Sequence, residues 1–566
     1  MVLKIDNRII KANAGESLLD LCKKLKLTTG KLSTEPLVAK VAGRIFTLNF
    51  VPVKGESIST EGLSTRKAIA ASNGIVTLMR YKDSEGSDAY VRTAQFVIFL
   101  AINELWPNAV AKMSCSVGSG LYFKVSGAEN FSVDILRDKI KQIIEQDITL
   151  ERKRLSTEEA INYFASKGQT DKVELLKYRK YDFLDVYTHG NFADYYYGEL
   201  MPSTSYLKVW KIAPAPNGFT FVFPSKKHPN KPAKLPNLPK LLKVYTLGKK
   251  WCELMDCEGI ADLNEMVSSG KIRELIRVNE ALHEKEFSTV ADRICRRNCK
   301  AVLLSGPSSS GKTTSANRLA TQLRVHGKKP ILMSLDDYYL DRDKIPVGPD
   351  GTVDLEHINT IDTELFKQHF AALLRGEQVE LPTFDFKLQK RVWLGHKLQL
   401  DSSSVIIIEG LHALNPTLLP DDMNRSLVFK LYVSPLLPLN LDNHNRISAS
   451  SLRLLRRIVR DFEGRNSPVQ KTISMWKSVR RGEERWIFPY QETADYIFNS
   501  STLYELAVLK KHIFPLLTAV GPEEECYNEV RAIVKFLDFI QEADVDDEIP
   551  PTSLVREFIG GNSFYK

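Results

Sequence analysis

Cysteine is scarce, with 7 in 566 residues, which argues against a disulfide scaffold. Long apolar runs are lacking too. The most apolar stretch, AQFVIFLAI at 94–102, is about half of what a bilayer crossing needs. The opening residues, MVLKIDNRIIKANAGESLLD, scatter charges and hold no uninterrupted apolar core of signal-peptide type. These absences lead us to expect a cytoplasmic protein without membrane contact. No repeat at solenoid spacing and no useful run of coiled-coil heptads is found. One-signed charge is weak: 78 Lys and Arg against 69 Asp and Glu leave +9. That is mild for the length and fits nucleotide binding, RNA binding or an ordinary soluble enzyme.

The hydrophobic fraction of 43% is that of folded domains. So long a chain exceeds one core and predicts roughly three or four domains. Four cysteines are paired in sequence, Cys252 with Cys257 and Cys295 with Cys299. Zinc knuckles favour C-x2-C with turn residues between the ligands. CELMDC and CRRNC read as helical, so small buried thiols are expected and no metal ligand is assigned, with zinc as the alternative.

In the first sixty or so residues VLKI and RIIKA read as a hairpin, SLLDLCKKL as a helix and PLVAKVAGRIFTL as further strand. This predicts a β-grasp-like unit over 1–62 and an α+β domain over 63–225. PSKKHPNKPAKLPNLPKLLK at 224–243 carries five prolines and six lysines. Proline blocks regular ladders, so 226–298 is expected to be a linker followed by a helical connector. Buried strands then alternate with helices over 299–520, and 521–566 reads as a tail without functional signal.

GPSSSGKTT at 306–314 follows the buried strand AVLLS and precedes a helical face of Ala316, Leu319, Ala320 and Leu323. Gly306, Gly311, Lys312 and Thr313 meet the phosphate-loop pattern. Backbone N–H groups of Gly306, Pro307 to Ser310, Gly311 and Thr314 would form the loop's cradle, Pro307 contributing shape only. Lys312 would reach the β- and γ-phosphates of ATP, and the Thr313 hydroxyl would ligate Mg²⁺.

Two more strands end in acids: ILMSL runs into Asp336 and Asp337, and VIIIEG presents Glu409. In a parallel sheet these ends share one crevice with the loop. One carboxylate can hold Mg²⁺ through water while another takes a proton from an attacking hydroxyl. Only one of Asp336 and Asp337 need point inward. In SLRLLRRIVRDFEGR, Arg453, Arg456, Arg457 and Arg460 form one stripe, with Leu452, Leu455, Val459 and Phe462 on an apolar face. The stripe reads as a lid closing over ATP and neutralising transferred charge; a solvated face or RNA binding are the alternatives.

The series GPSSSGKTT, SLDDYY, VDLEHINTID, LPTFDF, IIIEGLHAL and RRIVRD resembles the uridine kinase and phosphoribulokinase family over roughly 220 residues. The resemblance implies an α/β P-loop kinase, with a parallel sheet and helices on both faces. It implies Asp336 as general base, Lys312, Arg457 and Arg460 as catalytic cations, and Thr313 with Glu409 at Mg²⁺. Toward the acceptor it points to Asp336, Tyr338, Glu356 (or Asp354), His357, Phe384, Gln389 and Arg465. Phe384 and Gln389 replace the Tyr and the pyrimidine-reading His of uridine kinases. The expected reaction is ATP-dependent phosphorylation of a nucleoside 5′-hydroxyl, with another small alcohol or sugar phosphate as the alternative acceptor.

The N-terminal residues look like a TGS domain. The next stretch, with AINELWP and VGSGLYFKV, resembles the editing-type second domain of threonyl-tRNA synthetase. The positions of that domain's H-x3-H and C-x3-H pairs fall on Arg92, Phe96, Tyr196 and Leu200. Hydrolytic editing is therefore not expected, which leaves a binding or regulatory role, including RNA or tRNA contact through 1–225 and ATP read as a signal.

Overall fold

The computed structural model describes residues 1–52, 73–345, 354, 356–385, 388–420 and 423–564. The expected boundary at 62 lies outside them. The first sheet has the order Arg8–Lys11, Val2–Ile5, Ile75–Met79, Val38–Val41, Arg44–Thr47. Its central strand, Ile75–Met79, comes from beyond that boundary and runs parallel to Val2–Ile5. Helix Leu18–Lys24 starts at a capping box between Ser17 and Asp20. Its Leu18, Leu21 and Cys22 close the sheet's core with Leu3, Ile5 and Val41.

Helix Ser84–Leu105 is buried on every side from Thr93 to Ile102, as its run of aromatic and branched residues demands. It packs in one core with an antiparallel sheet that includes Val110–Val117, Gly120–Ser126 and Gly218–Val222. A separate sheet joins Phe192–Asp194, Phe183–His189 and Glu151–Ser156.

The proline-rich stretch departs from the linker expectation. Pro224–Ser225 pairs with His228–Pro232 in an irregular two-stranded ribbon. Proline is tolerated there because such a ribbon has no inner strand that needs every N–H. Pro239, at the first turn where its missing N–H costs nothing, then opens helix Pro239–Leu254. Cys252 and Cys257 are buried, and burial pushes both thiols up, Cys252 to about 12.

The C-terminal α/β unit is a five-stranded sheet in the order Lys329–Ser334, Ser404–Glu409, Ala301–Ser305, Val428–Ser434, Tyr496–Asn499. All neighbours are parallel. Both faces are covered, Val302 and Leu304 packing under helices Lys312–Val325 and Ile272–Arg296, and Leu303 facing the opposite core.

Residues 521–564 are not a loose tail. Helix Tyr527–Leu537 places Val530, Val534 and Leu537 in the cluster that holds Leu452 and Leu455 of helix Ala449–Arg465. Leu175 and Leu176 of the N-terminal half share that cluster, so one apolar core joins the two halves.

A buried polar network lies at the same junction. Lys172 pairs with Asp194, and His444 Nδ1 sits 2.6 Å from Asp194 Oδ2. His444 also stacks on Phe99 at 3.5 Å, and Tyr195 donates to Asp442. Burial would raise the Asp194 carboxyl, but Lys172 and His444 outweigh it and hold the group well below the usual carboxylate range. Removing one partner strands a buried charge. Asp194→Ala should therefore cost about 3–5 kcal/mol, read as a lower denaturation midpoint followed by tryptophan fluorescence. Because the folded-state value is depressed, the pair's contribution is present near neutrality and is lost as pH falls through the acid range.

Candidate functional site

The phosphate loop leaves the C-terminal end of the central strand Ala301–Ser305 and turns into helix Lys312–Val325. Two backbone features shape it. Ser309 has φ +58°, and Gly311, capping the helix, has φ +87°, a conformation glycine adopts without strain. A Cβ on Gly306 would lie 2.1 Å from the Val433 carbonyl oxygen, so the loop packs directly on the neighbouring strand. The Ser309 and Ser310 hydroxyls are buried without a hydrogen-bond partner among the described residues. Unpaired donors beside a helix N-terminus suit phosphate oxygens.

Lys312 donates to the Pro307 carbonyl at 3.1 Å. Burial lowers its ammonium, while Glu409, Glu557 and Asp336 raise it. One lysine thus stands among three carboxylates. Glu409 accepts the Thr313 hydroxyl at 3.1 Å. Burial, with Asp336 and Glu557 nearby, pushes Glu409 up to about 7 despite Lys312 and that hydrogen bond. A hydroxyl and a carboxylate in contact fit Mg²⁺, which takes one or two protein oxygens and keeps water and phosphate for the rest. No group of three or more potential ligands marks a fuller metal cage among the described residues.

The adjacent acids divide their roles. Asp337 accepts the Phe384 backbone N–H at 3.2 Å and so anchors strand Val379–Asp385. Asp336 faces the crevice: burial raises it, against the pull of Lys312, a hydrogen bond from Tyr339, and Arg465.

The neighbouring tyrosines reverse the expectation. Tyr338 is fully buried, its hydroxyl 3.1 Å from His369 Nδ1 and its ring edge-on to Phe366. It belongs to the core and not to an acceptor site. Tyr339 bonds Asp336 and packs on Phe384 with ring centroids 5.6 Å apart. The short 3₁₀ turn Leu335–Tyr338 causes the swap, since strand alternation ends where it begins.

Glu356 lies close under the helix Val469–Trp486, where a Cβ on Gly482 would meet its own Cβ at 2.2 Å. Burial pushes it up to about 7, with Arg457 and Lys312 opposing and Glu483 and Asp354 adding. Asp354 accepts the Glu356 N–H at 3.1 Å and supports the turn. His357 departs from its expected role. Its Nδ1 accepts the Asn359 N–H at 3.0 Å and its ring packs against Trp486, so it caps a turn. Gln389 sits exposed with φ +54° where hairpin Val379–Asp385 and Lys390–Leu398 turns.

The arginine stripe is not a free lid. Arg453 is buried against Glu483, 3.3 Å from the Ser308 carbonyl. Arg456 is buried in a two-pronged pair with Glu505 at 2.7 and 3.0 Å and donates to the Ser500 carbonyl at 2.7 Å. Both hold the loop's shape. Arg457 donates to Ser308 Oγ at 3.0 Å and to Asp461 at 3.2 Å, and Arg460 forks onto Asp461 at 2.8 and 3.1 Å. Arg465 is the most exposed of the group, 3.9 Å from Asp461. Phe462, expected on the apolar face, is 42% exposed.

Three site residues escaped sequence reasoning. Asp461 was visible as an i, i+4 partner of Arg457. Glu483 accepts the Ser308 N–H at 3.0 Å from a later helix. Glu557 accepts the Thr314 N–H at 3.1 Å from 243 residues away, and no local pattern announces it.

In the N-terminal half, Phe96 and Leu200 are core residues, Tyr196 bonds Asp194 at 3.2 Å, and Arg92 donates to the Glu199 carbonyl at 3.1 Å. No helix among the described residues is long and apolar enough to cross a membrane.

Residues 302–507 match the model of the phosphoribulokinase/uridine kinase family. A uridine kinase of Bacillus pumilus is 30% identical over 195 residues, 34% of this chain and 83% of that protein. A threonine–tRNA ligase of Clostridium kluyveri is 28% identical over 207 residues, 36% of this chain but only 29% of the ligase. The solved structure of a possible uridine kinase from Bacillus stearothermophilus has 21% identity and a TM-score of 0.25, covering 35% of this chain and 88% of that one. The loop, the strand-end acids and the similarity across most of a uridine kinase's length agree: this chain belongs to the phosphoribulokinase/uridine kinase family.

Proposed function

We propose that the protein phosphorylates the 5′-hydroxyl of a nucleoside from Mg·ATP, with Asp336 as general base. The observation that carries this reading is the convergence of Lys312, Asp336 and Glu409 at the C-terminal edge of one parallel sheet, with Lys312 favouring the ionised form of both carboxylates. ATP, when bound, supplies the transferable γ-phosphoryl group.

The chain's own groups do the rest. Loop N–H groups and the Ser309 and Ser310 hydroxyls hold phosphate oxygens, and Lys312 neutralises the terminal ones. Thr313 and Glu409 hold Mg²⁺, partly through water. Asp336 accepts the proton of the acceptor hydroxyl, oriented by the Tyr339 hydroxyl. Its raised proton affinity brings it nearer the value at which a base works best at neutral pH. Arg457 and Arg460, held by Asp461, lie at the loop and balance charge as the phosphoryl group moves. Glu356 faces the same space and binds acceptor hydroxyls; Phe384 offers a ring to a base. Because Phe384 and Gln389 stand where uridine kinases carry Tyr and His, the base is read differently, and a small alcohol or sugar phosphate is the competing acceptor.

A second reading concerns residues 1–225, whose similarity to threonine–tRNA ligases supports RNA contact. Such contact would appear as tRNA binding by the full chain that weakens steeply with salt. No retention of tRNA at low salt would remove it.

Asp336→Asn should lower turnover about 10²–10⁴-fold while ATP affinity, read by calorimetry, is retained. An unchanged rate across a panel of nucleosides and sugar alcohols would overturn the base assignment. The pH dependence has a definite sign. Glu409 must be ionised to hold Mg²⁺ and its folded value stands near about 7, so kcat/KM should fall below neutrality. Raising Mg²⁺ should move that limb to lower pH, because the cation favours the ionised carboxylate.

A further inference from the structure

Residues read from the sequence as an uninformative tail reach the centre of the nucleotide site. The short helix Arg556–Ile559 presents Glu557 to Thr314, the third residue of the phosphate-loop helix. One carboxylate oxygen, Oε2, accepts both the Thr314 N–H at 3.1 Å and its hydroxyl at 2.7 Å. Asn562 donates to the same hydroxyl oxygen at 3.3 Å. The approach is fitted to the loop. Leu554 lies 3.1 Å from where a Cβ on Gly311 would stand, and Phe558 lies under the Arg456 guanidinium at 4.8 Å. Ser553 donates to Glu280 at 2.7 Å, while the Arg318 guanidinium of the phosphate-loop helix lies 3.2 Å from Glu280.

The chemistry of this contact conflicts with nucleotide binding. The first N–H groups of the helix and the glycine loop are the donors that cradle the α- and β-phosphates. The Thr314 N–H and hydroxyl carry one hydrogen each, and both point at Glu557. A phosphate oxygen is also an acceptor and also negative. It cannot take those hydrogens while the carboxylate holds them, and at that separation the two anions repel. Lys312, whose charge Glu557 helps to hold, is likewise the cation that the phosphates require. Three acids surround that one lysine.

We propose that Glu557 is an intramolecular competitor for the phosphate site, and that the C-terminal segment 551–564 holds the nucleotide-free kinase in a self-inhibited state. Nucleotide binding requires the carboxylate to leave the Thr314 donors. The segment is continuous with the apolar cluster shared by the two halves, through Val555, Phe558 and Ile559. Events in the N-terminal half can therefore set how firmly Glu557 stays in place. This inference rests on the nucleotide-binding reading given above.

The test is calorimetric titration of the full chain with ATP and with ADP, comparing wild type, Glu557→Gln and Glu557→Ala. Gln keeps the size and removes the charge, and thermal melts check that each variant is folded. A charged hydrogen bond of ordinary strength predicts affinity at least about tenfold tighter in both variants. The gain should shrink in a Thr314→Ala background, which removes the shared hydroxyl. Equal or weaker affinity in folded Glu557→Gln overturns the proposal and leaves Glu557 as a helix cap or a nucleotide contact. If wild type binds ATP and only the gain is missing, this inference alone fails. If no variant binds ATP or ADP, the kinase reading fails with it.

Discussion

The first backbone N–H groups of helix Lys312–Val325 have no carbonyl partner inside the helix. Buried donors of this kind demand an acceptor, and the turn at Gly311 aims them at one small region. Much of the surrounding structure answers that demand. The central strand delivers the loop, Val433 presses against Gly306, and the arginines of helix Ala449–Arg465 bind the loop's outward carbonyls. Loop donors meet carboxylates in two places, Ser308 at Glu483 and Thr314 at Glu557. Carboxylates from distant parts of the chain thus take up donors at both places.

The arginine helix shows how burial changes the meaning of a charge pattern. A stripe at i, i+3, i+4 and i+7 reads the same in sequence whether it faces water, RNA or a phosphate. In the fold it is split by depth. Arg453 and Arg456 are fully buried and matched to Glu483 and Glu505, where they shape the loop. Arg457 and Arg460 share Asp461, and Arg457 also reaches the Ser308 hydroxyl. Depth and partner separate these two pairs of arginines, and neither is a local property.

The two halves are held by more than a linker. The apolar cluster running from Leu175 through Leu455 to Val534 is continuous, and the Lys172, Asp194 and His444 network is sealed beside it. A buried network of this kind is satisfied only in one arrangement of its members. The N-terminal half, the arginine helix and the C-terminal segment therefore share one packed junction.

The sequence by itself determined the parts whose chemistry is local. Loop, following helix and flanking strands were legible because strand period, glycine placement and helix period occupy one continuous stretch. Asp336, Glu409 and Lys312 followed from the rule that strand ends share an edge. Tertiary structure alone decided which of Asp336 and Asp337, and which of Tyr338 and Tyr339, face the crevice, because a single 3₁₀ turn resets the alternation. It decided that His357 caps a turn, since its neighbour Trp486 comes from another helix. It also decided that Glu557, near the end of the chain, reaches the helix that follows the phosphate loop. Glu557 and Thr314 are brought together by the apolar packing of Leu554, Val555 and Phe558. Packing of that kind depends on partners far away in the chain, so no window of sequence contains it.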